Sequence, residues 1–390
     1  MREFRLTRLE AVISGAGGVE RLAEELDRRG ARRALVATSA SLGRSPLLGR
    51  VRHALGARLA GVFAEVAQHA PAGRVRALAA MLQESRADAI VSFGGGSVID
   101  SAKVAVGSVL EGRDMTREAG DLDFARAFAE TSGPRFVHIA VPTTLSAGAF
   151  TAGGGVTDEA TRRKRAVIDP RLQPCVVIHD PELCVETPDE LWITTGIRVL
   201  DHAIESIYAK RAHPLCDALA VRAVRMIVDH LPHSRGSSPA HVAHRGECLD
   251  AAWLSLFGAF NTGLGLSHAL GHQMGPAWDV AHGVTSCIAL VPAMRFMAER
   301  VPQRFADIAE GLRLPFDAAT ARADALACAA AVEDFIRRFG VPMRLRPLGI
   351  ERGHLFDIAE AVRAELEGFD ALDAAITLEE IEGLLTAAYE

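Results

Sequence analysis

Five short apolar runs lie in the first half of this chain, at residues 34–38, 61–66, 89–93, 136–141 and 175–178, and no such run follows Pro188. Continuous apolar runs of this length fit strands buried on both faces of a sheet. Helical patterns over 19–29 and 75–85 alternate with them. The alternation predicts a doubly wound, Rossmann-like α/β domain with a parallel sheet. Beyond Pro188, residues 218–231, 249–260, 284–298, 319–339 and 378–389 repeat apolar residues at helical spacing, which predicts an all-α second domain. The division falls at 1–183 and 184–390. Residues 234–239 read as an exposed loop.

Composition narrows the partners. A chain of 390 residues with 49% hydrophobic residues has the material for two cores. A net charge of −6 offers no electrostatic case for nucleic acid or an anionic membrane. Six cysteines are scattered without CxxC spacing, which reads as reduced thiols. The stretch from Met1 to Leu6 lacks an apolar signal core, and no run reaches the ~18 apolar residues of a membrane span. A cytoplasmic enzyme acting on a small molecule is the expectation.

Three motifs carry chemistry. Gly94-Gly95-Gly96-Ser97-Val98-Ile99-Asp100 follows the third apolar run and opens a helical pattern. The glycines permit close backbone approach, Ser97 is a candidate N-cap, and Asp100 takes the capping-box position. Such a helix start suits a diphosphate. Pro142-Thr143-Thr144-Leu145-Ser146 follows the fourth run, placing hydroxyls where open α/β sheets bind ligands. The third motif joins His268, His272 and His282 to His202 upstream. One histidine in an apolar helix is an ordinary core residue; four in this pattern point to a site. The side chain one turn before His202 is Arg198. A divalent ion shared with His202 would want a carboxylate there. A guanidinium about 4 Å from such an ion costs about 8 kcal/mol at an effective dielectric of about 20. Asp201 lies about 60° around the helix from Arg198, so it is expected not to substitute.

Taken together, the GGGSxxDxAK turn, the PTT loop, Ile168-Asp169-Pro170, the TGxxxLxHAxE helix and HxxxHxxGxxxxxxHG resemble the iron-containing (group III) alcohol dehydrogenase family. The resemblance spans nearly the whole chain. It implies an iron-type alcohol dehydrogenase architecture, shared with dehydroquinate synthase. An N-terminal NAD(P)-binding domain, a helical domain, a reaction site in the cleft between them, and a homodimer follow from it. It implies cofactor contacts from Gly94, Gly95, Gly96, Ser97, Asp100, Thr143, Thr144, Ser146 and Lys164. His202, His268 and His282 match the family's histidine metal ligands, and His272 matches a histidine near the substrate with a proton-transfer role. Arg198 stands where the family has its aspartate ligand, so iron or zinc is disfavoured. The maleylacetate reductase branch, which also departs from that aspartate and works without metal, is the most similar in character, although its usual residue there is Asn. The implied activity is NAD(P)H-dependent reduction, or the reverse oxidation, of a small anionic or unsaturated oxo acid, with Arg198, His202, His268 and His272 at the reacting centre. A metal-dependent alcohol dehydrogenase is the alternative; a dehydroquinate synthase-like lyase and a silent homologue are others. The family's NAD-selecting acidic residue falls at or near Ser39, so NAD and NADP both stay open.

Overall fold

The computed structural model describes residues 3–120, 124–131, 135–161, 164–369, 372 and 375–390; Met1 and Arg2 of the N-terminal stretch lie outside them. The chain divides into two compact units. One holds residues 5–187 and 236–249, the other residues 188–235 and 250–390 with the N-terminal residues up to Phe4. The sheet-bearing unit therefore recruits a segment, 236–249, that linear order assigns elsewhere.

The sheet unit contains β1 (Ala11–Ser14), β2 (Ala34–Ser39), β3 (Leu59–Val66), β4 (Ala89–Gly94), β5 (Val137–Pro142), the hairpin β6 (Gly153–Thr157) and β7 (Lys164–Ile168), and β8 (Val176–His179). Its helices are α1 (Leu22–Arg28), α2 (Ala40–Gly43), α3 (Leu47–Leu55), α4 (Ala72–Glu84) and α5 (Gly96–Glu111). Six strands pair in parallel in the order β1-β8-β5-β4-β2-β3. Alternation sorts the two cores. Leu35, Ala37 and Ile90 meet Val75, Leu78 and Ala102 of α4 and α5 on one face. Ala34, Val36, Ala89, Val91 and Phe93 meet Leu22, Leu26 and Val51 of α1 and α3 on the other. Both strand faces are apolar because both are covered. Strand order reverses between β2 and β4, so the switch point lies at their carboxyl ends, where the glycine turn begins.

All five predicted strands form. The sequence reading lacks β1 and the hairpin. β1 is four residues long and none is fully buried; β6 opens on three glycines and β7 on Lys164 and Arg165. None of these carries a buried-strand signature.

The helical unit runs through α6 (Asp189–Tyr208), α7 (Pro214–His230), α8 (Pro239–Leu256, whose first half belongs to the sheet unit), α9 (Ala259–Thr262), α10 (Leu266–Trp278), α11 (His282–Arg300), α12 (Phe305–Leu312), α13 (Ala321–Arg337), α14 (Ala359–Phe369) and α15 (Leu378–Tyr389). Every residue of α6 from Trp192 to Tyr208 is buried, and α6 packs mainly on α7 and α11. Two expectations need correction. The helix expected over 249–260 starts at Pro239 and stops at Leu256; beyond it a Cβ on Gly258 would lie 2.1 Å from Cys216 Sγ, so the backbone turns there. Ser234, expected in an exposed loop, is buried and accepts a hydrogen bond from Trp192 Nε1 at 2.8 Å. Among the described residues no helix is long and apolar enough to cross a membrane.

His138 on β5 is buried at 1% exposure, with Nε2 2.8 Å from Ser92 Oγ. Burial, with a contribution from the Lys103 charge, pushes it down to about 3. The unfolded chain takes up this proton near pH 6.5 and the folded chain does not. His138 thus contributes stability above pH 6.5 that is lost as pH falls toward about 3. Urea unfolding between pH 6 and 4.5 should show wild type losing roughly 1.4 kcal/mol more per pH unit than His138→Gln. Equal slopes would mean that His138 charges freely in the native state.

Candidate active site

The sheet unit presents a backbone cradle. α5 begins at Gly96 with Gly95 as N-cap, and no side chain caps it. The expectation of Ser97 as N-cap is corrected: its hydroxyl instead accepts from the His69 N–H at 3.0 Å. Asp100 is no capping-box partner either; its carboxylate lies 3.9 Å from Lys164 Nζ. Gly94 sits at φ +156°, and a Cβ there would lie 2.7 Å from Val98 Cγ2. A Cβ on Gly95 would meet Thr144 at 3.1 Å, and one on Gly96 would meet Ser146 Oγ at 3.1 Å. Thr143 N–H donates to the Gly94 carbonyl at 3.0 Å. The two sequence motifs are thereby one structure. Thr144 Oγ1 and Ser146 Oγ are buried without a hydrogen-bond partner.

Orphaned hydroxyls beside an uncapped helix start fit a diphosphate, so this cradle suits a nicotinamide dinucleotide. Sequence reasoning passed over Lys103. It is fully buried and donates to Gly148 O at 2.5 Å, Thr151 Oγ1 at 3.0 Å and Gly153 O at 2.8 Å. It ties α5 to the segment after the PTT loop, and burial pushes it down to about 8. At the end of β2, Ser39 caps α2 through Leu42 N–H at 3.4 Å.

The helical unit gathers the histidines. His202 and His268 stack with ring centroids 4.8 Å apart, His268 and His272 meet edge-on at 6.1 Å, and His272 and His282 stack at 5.2 Å. The order along the cluster is 202, 268, 272, 282. Burial, then neighbouring cations, holds His202 and His268 well below the usual histidine range. His202 Nδ1 and His268 Nε2 are buried without a partner.

Three carboxylates come with them. Glu205 accepts from the N–H groups of Gly265 at 3.0 Å, Ser267 at 2.6 Å and His268 at 3.3 Å, and from His268 Nδ1 at 2.5 Å. It is the acceptor that the N-terminus of α10 lacks locally, since Gly265 is the N-cap. Asp201, fully buried, accepts from Ser267 Oγ at 3.0 Å and lies 3.8 Å from His268 Nδ1. Burial and the Glu205 charge raise Asp201, opposed by Arg198. Glu365 on α14 hydrogen-bonds His272 Nδ1, and Gln273 Nε2 donates to its other oxygen at 2.6 Å. Glu205 sits inside a sequence motif; Glu365 carries no sequence signal.

Arg198 is 5% exposed and donates to Ser286 Oγ at 3.0 Å and to the His282 carbonyl at 3.5 Å. Among the described residues, the group of metal-capable side chains whose donors converge within 4.8 Å is Asp201, Glu205 and His268; His202 and His282 are not in it. Glu205 already accepts four hydrogen bonds. The residues do not fit a divalent ion in the place the resemblance implies. Asp201, expected not to substitute for the missing aspartate, lies beside the cluster through Ser267 and His268, and the Arg198 charge opposes the burial that raises it.

A family model described as Fe-containing alcohol dehydrogenase family, C-terminal, matches residues 192–389, and one described as iron-containing alcohol dehydrogenase matches residues 10–181. NAD-dependent methanol dehydrogenase of Bacillus methanolicus is 32% identical over 346 residues, covering 87% of this chain and 88% of its own. Maleylacetate reductase of Sphingobium indicum is 31% identical over 294 residues, covering 75% and 74%. The crystal structure of maleylacetate reductase from Agrobacterium tumefaciens superposes with a TM-score of 0.80 at 25% identity, covering 100% of this chain and 98% of that one.

Glu205→Ala would strand three buried N–H groups and His268 Nδ1. Chemical denaturation should register a loss of about 3–5 kcal/mol. Glu205→Gln, which keeps an acceptor oxygen, should lose roughly half as much. Wild-type stability in the Ala variant would show that α10 caps itself another way.

Proposed function

This chain belongs to the iron-containing alcohol dehydrogenase family and is an oxidoreductase, and we propose that it reduces a small anionic carbonyl compound or unsaturated oxo acid with NADH or NADPH, without a metal, in the manner of a maleylacetate reductase. The observation that carries this reading is Arg198, buried in the histidine cluster at the family's aspartate position. A planar guanidinium clamps a carboxylate or neutralises a developing alkoxide, as a metal would.

In this reading residues 1–183 take the nucleotide role and residues 184–390 the substrate role. Gly95, Gly96, Thr144 and Ser146 would hold the diphosphate, and Lys164 would reach a ribose. Lys103 keeps the 148–153 segment in place. Ser39 brings no carboxylate to select against a 2′-phosphate. When bound, the reduced nicotinamide supplies a hydride to the carbonyl carbon or, in an unsaturated oxo acid, to the conjugated alkene carbon. His272, the histidine that matches no metal ligand, gives the proton to the carbonyl oxygen, and Arg198 stabilises the charge that builds there first.

A metal-dependent alcohol dehydrogenase is a second reading with one observation behind it. Glu205 orients His268 as carboxylates orient metal-bound imidazoles, and His268 Nε2 and His202 Nδ1 have no partner.

Chelation separates the two. NADH or NADPH oxidation with maleylacetate and other oxo acids should survive exhaustive chelation, and Arg198→Asp should acquire iron or zinc by elemental analysis. Stoichiometric metal in untreated wild type, with alcohol oxidation abolished by chelation, would overturn the first reading. Gly95→Leu should weaken NADH binding by roughly tenfold or more, because its side chain would occupy the space at Thr144; unchanged affinity by titration calorimetry would remove the cradle from the cofactor site. His272→Ala should lower turnover by about 10² to 10⁴ with cofactor affinity retained. A change below threefold would pass the proton-donor role to His268.

A further inference from the structure

Two imidazoles one turn apart on α10 are each held at Nδ1 by a carboxylate from another helix. His268 is held by Glu205 of α6, and His272 by Glu365 of α14. The two pairs differ in one respect. The Glu205 carboxylate also caps α10, so it serves the fold. Glu365 accepts, among the contacts described, only from His272 and from Gln273, the next residue on α10. His272 keeps a partly open edge, at 20% side-chain exposure, and Glu365 is 12% exposed.

We propose that Glu365 is a positioning residue for the proton donor: it holds Nδ1–H of His272 and so commits Nε2 to proton transfer. This rests on the reading of His272 given above. A histidine that is to deliver a proton from one chosen nitrogen needs the other nitrogen occupied and the ring fixed. Glu365 does both. Gln273, held on the second carboxylate oxygen at 2.6 Å, fixes the carboxylate in turn. The chain Gln273, Glu365, His272 is built entirely from α10 and α14, which pack on each other.

The step balances without further reagents. The hydride adds to the carbonyl carbon, or in a conjugated oxo acid such as maleylacetate to the alkene carbon β to the carbonyl with the C=C pair shifting toward it, and in either case the C=O π pair moves to oxygen. The N–H bond at Nε2 of protonated His272 breaks, its electron pair stays on nitrogen, and the O–H bond of the alcohol forms, or that of an enol which tautomerises to the saturated ketone. His272 is left neutral with its Nδ1 proton still on the hydrogen bond to Glu365, and solvent returns the proton to Nε2. Glu365 neither gains nor loses a proton in this sequence.

The test is a double-mutant cycle of His272→Ala and Glu365→Ala, read as kcat and as KM for NADH with maleylacetate as acceptor. Glu365→Ala should lower kcat by 10- to 100-fold with KM for NADH within twofold of wild type. In the His272→Ala background the same change should alter kcat by less than twofold, because Glu365 acts through a side chain no longer present. Glu365→Asp should recover part of the lost kcat, and Glu365→Gln, which preserves volume, should fall between Ala and wild type. Wild-type kcat in both Glu365→Ala and Glu365→Gln, alongside a large loss in His272→Ala, would overturn the proposal and leave the proton-donor reading standing. An equal loss from Glu365→Ala in both backgrounds would also overturn it, as the mark of a structural role. No loss in His272→Ala would overturn the proton-donor reading and this proposal with it.

Discussion

The helical unit is organised around one buried carboxylate. Glu205 reaches from α6 to the start of α10 and there accepts three backbone N–H groups and an imidazole N–H. The start of a helix is a row of unsatisfied donors with a partial positive charge. Ordinarily a local Ser, Thr or Asp answers it, but Gly265 cannot. Glu205 does so from sixty residues earlier in the chain, and the same oxygens set the tautomer of His268. One carboxylate therefore ties the start of α10 to α6 and holds the facing of His268. A Cβ on Gly265 would lie 2.6 Å from Glu205 Oε1, so the glycine is what lets the carboxylate in.

Around that anchor the charges form a compensated set. Arg198 is a permanent cation in a buried place, and a buried charge persists only when paired and hydrogen-bonded. Ser286 and the His282 carbonyl supply hydrogen bonds, and the Arg198 charge in turn opposes the burial that raises Asp201. The same cation helps keep His202 and His268 neutral. In the proposed reading, the arginine at position 198 suits the cluster to an anion where an aspartate would suit it to a cation.

The sheet unit solves a different problem. A dinucleotide needs backbone donors, not charges, and it needs them close. Gly94, Gly95 and Gly96 deliver the start of α5 to the switch point of the sheet, where Thr144 and Ser146 come across from the neighbouring strand. Lys103 is the fastening. A fully buried lysine is costly unless its three donors are used, and here two carbonyls and a hydroxyl of the 148–153 segment use them.

The sequence by itself determined five of the six strands of the parallel sheet, the helical second half, the glycine turn, the PTT loop and the four histidines. Each is a local pattern: period two or an unbroken apolar run for a strand, period 3.6 for a helix, a glycine where the backbone must come close. Arg198 was legible too, because positions 198 and 202 are one helical turn apart in any α-helix. What tertiary structure decided is who meets whom. Ser97 gave up the cap for His69 N–H, Asp201 met Ser267 of α10, and Ser234 went under Trp192. Glu365 reached His272 across 93 residues. A side chain's partner on another helix leaves no periodicity and no spacing in the sequence, since it depends on the angle and depth at which two helices pack. Those are set by the buried faces of α6, α10, α11 and α14 together and are written in no single segment.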